Sequence, residues 1–453
     1  MTYYSFRELL AGGTQNRIAA IALVLFLCSE SILVATQRIF PAGWLELGVD
    51  KYILSGILGL LLVLYYLQLW KSRSIKMRVW PLYLLMGIFM GGSLLLHPEY
   101  IGWFNHERYG VVQNILLLPS AVYAVLFFSL SEDRKQLFSA LIFASKLNFL
   151  FYMAQFIHAQ LRGYWTGTNS VGASVRLSYS LTFGYRVVIC AILGLALLIF
   201  SSRKKLLSGM FTLLSLIMIL LSGSRGAMLP FMVAALVFVV FWIRIQEIPL
   251  QSKWKRAGGL LGGLVLLIGA ARLFFAVFPG ILKSSRTLQS LFSGEFLAGN
   301  GRARIWKLAW NAIEKEGVLG YGFYGDRYTI GGPRLYYGYA HNIALEWIMQ
   351  FGKILGILLL LLLIYAVADM IRREKDVHWH ILLMTMLACC SKLLLSDSFW
   401  YYWPFWGLLA VLLAWNRQSG AAGFVWLKKV FSGKAFRAVV GKIYGNRGER
   451  NSN

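Results

Sequence analysis

Three short stretches of this chain carry the residue types that hold phosphate and move protons. Ser222-Gly223-Ser224-Arg225-Gly226 is a small-residue turn with one guanidinium. Gly301-Arg302-Ala303-Arg304-Ile305-Trp306 sets two more arginines at the head of an amphipathic stretch, and His341-Asn342 leads into a long apolar run. A guanidinium offers paired N–H groups to phosphate oxygens. Glycines beside Arg225 let a diphosphate approach backbone N–H groups as well, and they equally let two helices turn within a few residues. An imidazole, with an ordinary pKa of about 6.5, exchanges a proton near neutrality. A histidine near a bilayer surface is also an ordinary member of the polar belt, so for His341 both readings stand open.

Further cations lie inside apolar runs: Arg186, Arg272, Lys353 and Lys392. Ionisable groups within a bilayer are costly and mark function by default, with snorkelling to the interface as the plain alternative. With Arg225 they make five at one leaflet, whereas Lys146 lies mid-span. Next to them is a segment in which Lys283, Arg286, Arg302, Arg304, Lys307, Lys315, Arg327 and Arg334 outnumber Glu295, Glu314, Glu316 and Asp326. A shared phosphate-bearing ligand is the simplest account of that charge.

The elements that must hold these residues are membrane helices. Hydrophobic residues make up 58% of the 453 and charged ones 14%, where a soluble domain keeps roughly a quarter charged. The apolar runs are continuous, which favours helices over a barrel, and a helical crossing takes about 20 residues. The runs predict an all-α polytopic membrane protein of about twelve crossings, at 17–36, 51–70, 79–96, 111–130, 137–157, 181–201, 206–222, 227–244, 257–278, 342–370, 379–396 and 402–416. The first follows a polar leader without a cleavage pattern and contains Glu30, so it reads as a retained helix. Residues 1–278 form helices one to nine, 279–341 a large loop, 342–416 helices ten to twelve and 417–453 a basic tail.

Lysine and arginine clusters at 71–78, 203–205, 253–256, 372–375 and in the tail fall on one side, which the positive-inside rule assigns to the cytoplasm together with both termini. The net charge of +26 then reflects topology and anionic lipid rather than nucleic acid. The large loop and Arg225 lie outside. Long loops translocate regardless of charge. Cys28, Cys190, Cys389 and Cys390 all fall in apolar runs and read as buried hydrophobes. No internal repeat suggests a two-halved transporter.

Within the loop, Arg302 to Ile313 has the apolar spacing of a short helix lying on the membrane surface, with Trp306 and Trp310 as interface anchors. Gly320-Tyr321-Gly322 reads as a turn. An unbroken helix from His341 to Met370 would run about 45 Å against a hydrocarbon core of about 30 Å. His341 therefore stands above the outer boundary, with Gly352 as a candidate bend and Asn342 as either a helix cap or a partner of the imidazole. No paired-carboxylate motif faces outward, although Asp326, Glu314 and Glu316 remain available as ligands. No phosphate-binding Gly-x4-Gly-Lys loop or dinucleotide fingerprint is present.

The order of the motifs resembles the O-antigen ligase and O-antigen polymerase superfamily of bacterial membrane glycosyltransferases. The resemblance rests on Ser222–Gly226, the Gly-Arg-x-x-x-Trp of 301–306, Gly-x-Gly at 320–322 and His341-Asn342, and covers roughly Ser201 to Ile371. It departs where the family usually has Pro before Leu-Gly-x-Gly and this chain has Gly317-Val318-Leu319-Gly320. The resemblance implies a GT-C-like bundle in the bacterial cytoplasmic membrane. It also implies transfer or polymerisation of glycan from an undecaprenyl-diphosphate-linked donor at the outer face, by inversion and without metal or cofactor. Arg225 and Arg302 would then hold the diphosphate, and His341 would act as base or orient the acceptor hydroxyl. Arg304, Arg186, Arg272, Lys392 and Asn342 would contact substrate, and a glycan or lipid would be the acceptor.

Two rivals come from other classes. A transporter or flippase of lipid-linked saccharide or anionic lipid would use the same cations but line a path to the cytoplasm. A non-catalytic scaffold would leave His341 a passive interface residue.

Overall fold

The computed structural model describes residues 9–418 except 11–12, 38, 41–42, 45–47, 72–78, 107–109, 132, 169–173, 202–203, 246–257, 259–301, 316–317 and 332–337. The expected crossing 257–278 with Arg272, the loop segment 279–300 and the basic tail lie outside the described residues.

The described chain is built almost wholly of helices: α1 (Thr14–Thr36), α2 (Val49–Lys71), α3 (Trp80–Leu96), α4 (Ile101–Phe104), α5 (Ala124–Ser129), α6 (Arg134–Arg162), α7 (Leu181–Phe200), α8 (Lys205–Leu221) and α9 (Met228–Ile245). Then come α10 (Arg302–Lys315), α11 (Gly325–Gly331), α12 (Ile343–Phe351), α13 (Lys353–Arg373), α14 (Val377–Cys390) and α15 (Trp403–Gln418). A two-stranded antiparallel hairpin, β1 (Trp165–Thr168) with β2 (Ser174–Leu177), joins α6 to α7.

Among the described residues seven helices are long and apolar enough to cross a bilayer, and a bent pair, Trp80–Leu96 with Pro98–Phe104 at 107°, makes an eighth. Asn114–Ser129, Lys205–Leu221 and Trp403–Asn416 are shorter apolar helices. The chain is an all-helical polytopic membrane protein, and most expected spans coincide with a helix to within a few residues.

Three spans differ from the reading of the sequence, each for a local reason. The stretch 111–130 is a π turn (Val112–Leu116), a 3-10 turn (Ala121–Tyr123) and the short α5. Pro119 lies between them, lacks an N–H and pushes its predecessor out of helical backbone. The span 342–370 breaks at Gly352, whose φ of 87° only glycine adopts without strain. The span 379–396 leaves α-helix at Cys390 for a 3-10 turn, Ser391–Leu394.

Position in the bundle follows from which faces are apolar. In Val49–Trp70 and Lys353–Arg373 only 22% of the span is buried, and side chains such as Leu60, Val63, Leu361 and Ile364 face outward, as lipid-facing helices require. Val377–Leu394 is 67% buried and runs through the interior. Polar groups inside are matched across helices: Ser31 Oγ donates to Asn148 Oδ1 at 2.7 Å, and Asn148 Nδ2 donates to the Leu27 carbonyl at 3.0 Å, tying α1 to α6. Cys28, Cys190 and Cys389 are buried and unpaired to one another, Cys390 partly so.

A second, smaller apolar cluster joins α10 and α11 to α12. Ile305, Ala309, Ala312 and Ile313 of α10 pack with Ile330 of α11, Ala340, and Met349 of α12. The amphipathic pattern of α10 thus finds its apolar partner in protein, while Leu308 and Trp310 stay exposed.

Candidate active site

Arg225 sits where the Ser222–Gly226 turn docks on α7. The Ser180 N–H donates to the Ser222 carbonyl at 2.8 Å, and Ser222 and Ser224 are fully buried. Gly223 has φ 76°, which the chain reversal needs. Gly226 is small because the Tyr185 hydroxyl occupies the space a Cβ would take. Of the two uses the sequence left open for these glycines, the geometry shows the turn. Arg225 itself begins the 3-10 turn Arg225–Ala227 and is half-buried.

Tyr185 leads from that turn to the other charges. Lys392 Nζ lies over its ring at 4.2 Å, and over the Tyr402 ring at 4.7 Å. Lys392 also pairs with Asp397 Oδ2 at 2.5 Å. Arg302, half-buried at the first turn of α10, is within electrostatic reach of both Tyr185 and His341. The cluster in α10, α11 and α12 is what sets it there, since Ile305 is one turn further along the same helix.

His341 occupies the left-handed region at φ 56°, a conformation that a non-glycine residue keeps only when its surroundings enforce it. Its ring packs on Tyr339 at 4.1 Å between centroids. Nδ1 is buried without a hydrogen-bond partner among the described residues. Burial first, then the nearby Arg302 guanidinium, lowers its pKa to about 4, with Asp397 pulling the other way. The imidazole is therefore neutral at pH 7 and free to accept a proton.

Asn342 is the N-cap of α12: its Oδ1 accepts from the N–H groups of Ala344 at 3.0 Å and Leu345 at 3.2 Å. Its Nδ2 donates to the Leu394 carbonyl at 3.1 Å, tying the His341 backbone to the turn that carries Lys392. The cap, rather than a contact to the imidazole, is the role the geometry shows.

A buried polar network joins α11, α12 and Ser398. Arg327 donates through Nη1 to Asp326 Oδ1 at 2.8 Å and through Nη2 to Glu346 Oε1 at 3.2 Å and Ser398 Oγ at 2.8 Å. Gln350 Nε2 donates to Asp326 Oδ1 at 2.7 Å, and all five side chains are fully buried. Arg327 is thus removed from the exposed basic charge of the loop, and Asp326 is taken up by it. The Gly320-Tyr321-Gly322 turn is stitched to the end of α12, with Tyr321 N–H donating to the Met349 carbonyl at 2.7 Å and Gly322 N–H to Gln350 at 3.1 Å.

The remaining predicted residues fall at the margin. Arg186 pairs with Glu30 at 2.6 Å across α7 and α1, and Arg304 is exposed on α10. Sequence reasoning passed over Asp397 and Tyr185. The signal for Asp397 was its lone acidity in Ser396-Asp397-Ser398, five residues after an intramembrane lysine.

Tyr185 thus meets the glycine that follows Arg225 and lies near Arg302, Lys392 and Asp397, and Arg302 and Asp397 in turn act on His341. A family model described as O-antigen ligase matches residues 210–361, a stretch running from α8 through Arg225, Arg302 and His341 into α13. Over those residues the chain is similar to the O-antigen ligase family. No curated protein matches it.

Proposed function

We propose that the chain transfers or polymerises glycan from an undecaprenyl-diphosphate-linked donor at the outer face of the bacterial cytoplasmic membrane, by inversion and without a metal. The observation that carries this reading is His341, neutral, with an unpartnered Nδ1 and within reach of the Arg302 charge. Arg225 and Arg302 hold the diphosphate. The acceptor hydroxyl attacks the anomeric carbon from the face opposite the diphosphate and gives its proton to His341. The anomeric carbon–oxygen bond breaks, and its electron pair leaves on the diphosphate, where the two guanidiniums stabilise the charge.

Such a base suits the step for an electrostatic reason. Burial does most to hold His341 low, and an anionic diphosphate bound next to Arg302 offsets the guanidinium charge that adds to it. The imidazole gains basicity when the donor is in place.

Purified protein incubated with a lipid-diphosphate oligosaccharide tests the reading. Arg225→Ala, Arg302→Ala and His341→Ala are each expected to abolish transfer while the protein still inserts, and full activity in all three would overturn it. Resolving the wild-type products by size separates the two family activities. A ladder marks a polymerase, and a single transfer to an added acceptor marks a ligase.

A further inference from the structure

A cavity of about 350 Å³ opens between α1, α2, α6, α7 and the segment after Lys392, lined among others by Glu30, Asn148, Tyr152, Thr182 and Arg186. It also touches Tyr185, Lys392 and Asp397, so it adjoins the charges around His341. Its volume is at the lower end of small-molecule sites, roughly 300–1,000 Å³.

The lining is unlike a lipid-filled gap and unlike a phosphate site. Polar side chains from several helices converge on one space inside an otherwise apolar bundle, where each such group is costly unless it serves. Of its three lining cations, Arg186 is held by Glu30 at 2.6 Å and Lys392 by Asp397 at 2.5 Å, and Lys51 of α2 is the third. Glu30 is half exposed (51%) while Arg186 is 20% exposed, so the carboxylate has room to accept a further hydrogen bond. Tyr152, Tyr185 and Tyr402 add ring faces with polar tips. Fixed acceptors, fixed donors and aromatic faces with little unpaired charge suit a hydroxyl-rich, uncharged ligand.

We infer that this cavity is a saccharide subsite: it takes one sugar unit of the glycan next to the reacting bond, with Glu30 and Thr182 reading its hydroxyls. The inference rests on the proposed transferase reading for the site beside it. The diphosphate stays with Arg225 and Arg302, and the sugar lies on the Glu30 side of Tyr185. The sugar belongs to the donor or to the acceptor.

The test uses the full-length protein in lipid nanodiscs with three ligands: bare undecaprenyl diphosphate, the same lipid bearing an oligosaccharide with a diazirine on its first sugar, and an acceptor with a diazirine on its terminal sugar. Glu30→Gln and Thr182→Val are expected to weaken binding of one sugar-bearing probe about tenfold, and to leave bare undecaprenyl diphosphate binding within about twofold. The same probe should crosslink to residues 26–33 and 148–152, and whether it is the donor or acceptor probe names the source. Equal loss for the bare lipid, no loss for either sugar probe, or no crosslink in those segments would overturn the subsite. Transfer activity is scored separately, so an active wild type without these crosslinks sinks the subsite alone. Crosslinking without any transfer sinks the transferase reading alone.

Discussion

At the scale of single residues, His341 decides what the pH dependence should look like. Its pKa of about 4, against an ordinary value of 6.5, means that it stays deprotonated through the range where a solvent-exposed histidine would titrate. As a base it is active above its own pKa, so kcat/KM should hold through pH 6.5 and fall only as pH drops toward about 4. The acid limb of kcat should lie higher, because a bound diphosphate opposes the Arg302 charge. Arg302→Lys keeps a cation but not the planar fork, and should recover little of the activity lost in Arg302→Ala. A pH–rate series on wild type and these two variants checks all three outcomes. The residue types at 225, 302 and 341 were legible in the sequence because such groups are rare in an apolar chain. The orphaned Nδ1 and the nearness of Asp397 were not, since they depend on segments 52 or more residues apart being folded together, as the Asn342–Leu394 hydrogen bond shows.

Among the elements, the break between α12 and α13 matters most. Gly352 and Gly320 approach so closely that a Cβ on either would meet the other's backbone, and both have positive φ, 87° and 81°. Gly352→Ala is therefore expected to cost about 1–3 kcal/mol through strain at that backbone conformation. It should also loosen the α12 end onto which the loop is stitched. A lower thermal midpoint in detergent with reduced transfer would bear this out, and an unchanged midpoint would count against it. The sequence placed a bend at Gly352 and a turn at 320–322 on glycine alone. That the two glycines answer each other needed the fold.

For the molecule as a whole, the Arg327 network is the joint between loop and bundle. Two carboxylates share one guanidinium out of water, and burial raises Asp326 above the ordinary carboxylate range, with Arg327 opposing. Asp326 thus binds its proton more tightly in the folded protein than in the unfolded chain. This contribution to stability is present at low pH and lost as pH rises through the raised value. Asp326→Asn should keep the fold and flatten that dependence, while Arg327→Leu leaves buried carboxyls unpaired and should cost about 3–5 kcal/mol. Thermal unfolding at several pH values checks both. Orientation is tested through thiols in a Cys390→Ser background, since Cys28, Cys190 and Cys389 are buried and give little signal of their own. With the loop outside, an impermeant maleimide should label Leu319→Cys, which is 91% exposed in the wild type, in intact cells. Lys375→Cys should react only after lysis, and the reverse pattern would overturn the topology.

Most crossings and the amphipathic α10 could be read from the chain, and the three motifs picked out as candidates, because hydropathy, helical period and the rarity of intramembrane charge are properties of local sequence. The broken span at 111–130 escaped because a single Pro119 outweighs an apolar run. Charge pairing escaped as well. Whether a lysine or arginine serves a ligand or another side chain is settled by partners distant along the chain, and the fold gave Arg327 to Asp326 and Glu346, and Arg186 to Glu30. Arg302 and His341 were brought within each other's field by the same packing of α10 on α12.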